Sequence, residues 1–104
     1  MSLDLYLHEM GECVWEGNIT HNLGKMASEA GLYQILWRPG EDVQARDVFD
    51  KLIEGLAHML RNKEALSQFD AANGWGTYEN LLEFVFNFTK ACGEYPDAVI
   101  SASV

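Results

Sequence analysis

Cysteine, proline and basic residues are scarce in this chain of 104 residues, and each shortage removes a class of reading. The two cysteines, Cys13 and Cys92, are far apart and fit no metal-ligand spacing. With no export signal in view, they are expected to be buried thiols, not a disulfide. His8, His21 and His58 form no HxxxH pattern, so no metal and no cofactor is expected. Seven basic residues stand against 16 acids, for a net charge of −9, which argues against direct contact with a nucleic-acid backbone. No apolar run approaches the ~20 residues of a membrane span. The opening residues lack the basic and apolar regions of a signal peptide, so no membrane partner and a cytoplasmic protein are expected. Gly-rich phosphate loops, internal repeats, linkers and low-complexity segments are also missing.

What remains describes a single domain over residues 1–104. Hydrophobic content of 48%, with 12% aromatic residues, excludes disorder and supplies a modest core without staples. Leu3 to His8 alternates apolar and polar residues, and Glu12 to Glu16 resumes the alternation after Met10-Gly11, which predicts an antiparallel hairpin. Leu23, Met26, Ala27 and Ala30 follow helical spacing, with Asn18 or Thr20 as cap and Gly31 as stop. Leu32 to Trp37 reads as a turn or two of helix ended by Pro39-Gly40. A second main helix is predicted from about Val43 to Arg61, with Val48, Phe49, Leu52, Ile53, Leu56, Met59 and Leu60 as its apolar stripe. Thr77 caps a third, whose buried face is Leu81, Phe84, Val85, Phe88 and Cys92, with Gly93 and Pro96 as stops. Residues 98–104 return to strand character. The expected fold is α+β: a small three-stranded antiparallel sheet, from the hairpin plus a C-terminal strand, packed by three main helices. Leu82 and Phe86 fall outside the stripes, which leaves open a homo-oligomer surface or a second packed layer.

Three short stretches carry chemistry that a small core does not need. In Asn18-Ile19-Thr20-His21-Asn22, donors crowd a helix start, where unpaired N–H groups already favour anions. One cap uses only one of these residues, so His21 and Asn22 are surplus. In Leu36-Trp37-Arg38-Pro39, a planar guanidinium suited to carboxylate or phosphate follows an indole. In Gly74-Trp75-Gly76-Thr77-Tyr78-Glu79, an indole lies between glycines, free to stack on a ligand or to plug the end of the core. Asn18, Thr20, His21, Asn22, Trp37, Arg38, Trp75 and Tyr78 form the candidate ligand-binding set.

These three motifs in this order resemble a family of small proteins encoded by bacteriophages and prophage-bearing bacteria. The likeness covers nearly the whole chain, including the opening strand and the Cys92 to Asp97 region. Where the family commonly carries an acid directly after Trp-Arg-Pro, this chain has Gly40 before Glu41. The resemblance implies a viral setting and supplies no activity. The expected function is therefore a phage accessory protein that binds, and sequesters, a small polar or anionic, nucleotide-like ligand, with an anti-defence role. The competing reading is an acidic interaction protein whose Asp42, Asp47, Asp50 and Glu54 occupy a basic surface on a host enzyme. A hydrolase acting through His21 ranks below both, because neither cysteine has an evident electropositive setting and no catalytic residue is identifiable.

Overall fold

The computed structural model describes residues 2–70, 74 and 76–104. Strands β1 (Ser2–Glu9) and β2 (Glu12–Thr20) form the expected hairpin. Its two-residue turn places Met10 at φ 52° and Gly11 at φ 80°, the paired left-handed conformation that matches strand twist. Strand β3 (Val99–Ser103) pairs antiparallel with β1 on the other side, giving the order β2-β1-β3. Leu3, Leu5 and Leu7 are fully buried on one face of β1, whereas Asp4, Tyr6 and His8 on the other are half-exposed. The sheet therefore carries its helices on one side only, and the fold is the small α+β layer expected from the sequence.

A single 3-10 turn (His21–Leu23) leads from β2 into α1 (Gly24–Glu29), followed by α2 (Tyr33–Trp37). Leu23, Met26, Ala27 and Ala30 are buried, as their spacing implies. Helices α3 (Ala45–Arg61) and α5 (Tyr78–Glu94) form the outer layer, with the short α4 (Lys63–Ser67) after α3. Phe49 near the start of α3 lies beside Gly93 near the end of α5, and the Tyr78 hydroxyl reaches the Met59 carbonyl at the opposite ends. The two long helices are thus antiparallel.

The start of α3 is tied to the strand it precedes in space. Ala45 and Arg46 donate their backbone N–H groups to the carbonyls of Ala98 and Pro96, and an Arg46–Asp97 ion pair closes the same junction. These bonds satisfy donors that a helix start otherwise leaves unpaired. At the start of α5, Thr77 Oγ1 accepts from the Asn80 N–H and Asn80 Oδ1 accepts from the Thr77 N–H, a reciprocal capping box.

Four expectations need correction. Ile53 and Leu60 are 46% and 66% exposed, because α3 buries only the side facing α5 and Leu32, a narrower arc than its apolar stripe. Gly93 lies inside α5, which runs on to Glu94 and ends before Tyr95. Cys13 is exposed near the hairpin turn, where no helix covers it; Cys92 is buried, and both thiols are free. Phe86 is 57% exposed, so no second layer packs over it among the described residues.

Candidate functional site

The 3-10 turn after β2 is the meeting point of the three motifs, and it distributes them over different surfaces. Thr20 accepts the Asn22 N–H at its hydroxyl, 3.4 Å away, and so caps the turn. On one side, Gly76 approaches Thr20 and Asn22 so closely that a Cβ there would lie 3.1 Å from Thr20 Cγ2 and 3.3 Å from Asn22 Cβ. On the other side, the Trp37 indole N–H donates to His21 Nδ1 at 3.1 Å. Two motifs thus touch the first directly, at opposite flanks.

The rest of the candidate set separates. Tyr78 is 2% exposed and donates its hydroxyl to the Met59 carbonyl at 2.7 Å, so its ring is a core element with no face free for stacking. Burial, and then the neighbouring Glu79 carboxylate, raises the pKa of this phenol. Asn18 is exposed and holds Asp4 Oδ1 across the hairpin at 2.6 Å. Arg38 ends α2 and is exposed beside a second cavity of about 480 Å³, which Trp37 also borders and which contains Glu41 and Asp42. Those acids oppose an anion there. Trp75 lies outside the described residues.

A third cavity, about 320 Å³, retains the chemistry expected of a binding site. It is lined by His21, Gly24, Lys25, Ser28, Tyr33 and Trp37, from the 3-10 turn, α1 and α2. His21, Lys25 and Ser28 fall on one helical face because they are spaced by four and three residues, and Tyr33 and Trp37 share a face of α2 for the same reason. Tyr33 and Trp37 stack with centroids 5.3 Å apart and planes 9° from parallel. Trp37 is 5% exposed, so Tyr33 is the more accessible plate.

His21 gives this cavity its distinctive feature. Because Nδ1 accepts from the indole, the neutral ring carries its proton on Nε2. That Nε2 is buried and has no hydrogen-bond partner among the described residues. An unmet buried donor costs about 1–3 kcal/mol, which an acceptor reaching it would recover. Among the described residues, Lys25 supplies the only formal charge in the lining, and no carboxylate is present. Lys25, Ser28 and Tyr33 were outside the candidate set, although their helical spacing from His21 and Trp37 is visible in the sequence.

Among the described residues, no group of three or more His, Cys, Asp and Glu is placed to hold a metal ion, and no helix is long and apolar enough to cross a membrane. No protein-family model, curated protein or solved structure shows significant similarity to the chain.

Proposed function

We propose that this protein binds a small anionic ligand bearing a planar group in the His21–Lys25–Tyr33–Trp37 cavity, and that it sequesters this ligand. The carrying observation is a cavity lined, among the described residues, by His21 and Lys25 and by no acid, with the buried Nε2–H of His21 unpartnered among those residues. In a chain with 16 acids and seven bases, such a local balance is the feature most favourable to an anion. Lys25 contributes the charge, Ser28 a hydroxyl, and the Tyr33 ring a stacking surface. The volume lies at the lower end of the roughly 300–1,000 Å³ usual for ligand sites, enough for a phosphate or carboxylate and one ring. A nucleoside monophosphate suits it better than a dinucleotide. The resemblance of its three motifs to small phage-encoded proteins supports a viral accessory role, in which removal of a signalling nucleotide blunts a host defence in the host cytoplasm.

Isothermal titration with inorganic phosphate, the common nucleoside monophosphates and the matching nucleosides tests the proposal. A monophosphate should bind at least about tenfold more tightly than its nucleoside, because hydrogen bonds to a charged group contribute about 1.5–3 kcal/mol. Lys25→Ala should remove that preference. Silence across the whole panel would refute the reading.

A second reading keeps one specific support. Asp42, Asp47, Asp50 and Glu54 are all exposed, from just before α3 to its middle, and face solvent where a basic surface on a host enzyme could meet them, although Asp47 also caps the helix by accepting the Gln44 N–H. Capture from host lysate that disappears at high salt and on Asp47→Asn/Asp50→Asn would favour it over the small ligand.

A further inference from the structure

An open groove of about 710 Å³ lies between β2 and α5, separate from the His21 cavity. Seven consecutive residues of β2, from Val14 to Thr20, border it. Side chains of a strand alternate between faces, so an unbroken run along a cavity means that the strand's own edge forms the wall. That edge is the outer one, because β2 is a border strand in the order β2-β1-β3. The hairpin has a bulge, but it falls where Leu7 pairs with Trp15 and His8 with Cys13, so Trp15 to Thr20 remain regular. No proline interrupts β2, and no lysine or arginine guards it, the usual devices that keep such an edge unpaired.

The floor and rim define what fits. Trp15 lies across Gly17, where a Cβ would come within 2.6 Å of the indole, and packs on Phe84 and Phe88 with centroids 6.0 and 5.3 Å apart. The half-exposed Trp15 ring faces the groove, with Phe84 and Phe88 buried beneath it. The charged rim is Glu16, Glu83 and Glu94 against the single Lys90. Along α5 the lining extends from Asn80 to Glu94, about 21 Å at 1.5 Å per residue. Six or seven extended residues span about the same length.

We infer that the β2–α5 groove docks an extended, positively charged segment of a partner protein, which adds a fourth strand to the β2 edge. Its backbone pairs with β2, alternate apolar side chains rest on Trp15, and basic side chains meet Glu16, Glu83 and Glu94. A second copy of this chain is the poorer occupant, because pairing two β2 edges would bring two acidic rims together.

The test uses the fluorescently labelled peptide acetyl-(Arg-Ile)3-amide, its (Glu-Ile)3 counterpart, and an (Arg-Ile)3 peptide N-methylated along one edge. Anisotropy should show binding of the first, at least about tenfold weaker binding of the second and none of the third. Amide hydrogen exchange should slow at residues 15–20 when the first peptide is present. Glu83→Gln/Glu94→Gln, exposed on α5, should weaken binding several-fold without changing the thermal unfolding midpoint. Equal binding of the acidic peptide, retained binding after N-methylation, no binding at millimolar concentration, or protection of β2 through self-association alone would each overturn the inference.

Discussion

Gly55 sits in the middle of α3, and two physical effects oppose each other there. Replacing an interior helical glycine by alanine ordinarily stabilises by about 1 kcal/mol, since alanine loses less backbone freedom on folding. At this position a Cβ would lie 2.4 Å from Leu32 Cδ2, 2.7 Å from Cγ and 2.9 Å from Cδ1. Leu32 is fully buried, so its side chain cannot withdraw into solvent. Overpacking of this kind costs about 1–3 kcal/mol. The close approach should win, and Gly55→Ala should destabilise by about 1 kcal/mol net, or about 4–8 °C in Tm for a domain of this size. Gly93→Ala in α5 is the internal control. Its new Cβ would stand 3.2 Å from Phe49 Cε1, but the site is exposed, so the change should be neutral or stabilising by a few tenths of a kcal/mol. Leu32→Ala completes a cycle: alone it should cost about 2–5 kcal/mol, and the Gly55→Ala/Leu32→Ala pair should cost about 1–2 kcal/mol less than the sum. Urea and thermal unfolding measure all four chains. If Gly55→Ala melts at or above the parent temperature, the close approach of α3 to Leu32 at Gly55 is wrong.

Tyr78→Phe removes the donor to the Met59 carbonyl and should cost about 1–1.5 kcal/mol by urea denaturation, with ligand binding at the His21 cavity unchanged. Lost binding at unchanged stability would return Tyr78 to the ligand site. Alkaline pH supplies a separate check, because burial pushes the Cys92 thiol from 9.0 up to about 12. The unfolded chain releases this proton first, so the stability from the buried thiol is complete below about pH 9 and is lost as pH rises toward 12. Raised Tyr78 adds in the same direction above its ordinary value of 10.0. Cys92→Ser should make the decline in urea midpoint above pH 9 shallower; an equally steep decline would remove the thiol as its cause.

Local signals carried most of the fold. Alternation in β1, the Met10-Gly11 turn and the Thr77 cap are short-range patterns, and each has its expected place. The width of the α3 stripe misleads, because an apolar position is buried only if another element covers it, and nothing described covers Ile53 or Leu60. The candidate site was less legible for a similar reason. His21 and Trp37 meet because α2 folds back on the turn after β2, a tertiary event across 16 residues that no local pattern encodes. Arg38 follows Trp37 in sequence, yet the helix ends between them and it faces another cavity. Tyr78 next to a cap resembles a site residue until the antiparallel pairing of α3 and α5 brings Met59 to its hydroxyl.

The central strand acquires its second neighbour from more than 90 residues further along the sequence: Asp4 pairs with Ser103, and Leu7 with Ile100. During translation, β1 and β2 leave the ribosome before β3, so the remaining flank of β1 stays open until residues 99–103 have been made. Closing so long a loop is slow, and the waiting strand is a template for mispairing. Completion of the sheet is therefore a late latch, which also fastens the start of α3 through the Ala98 and Pro96 carbonyls.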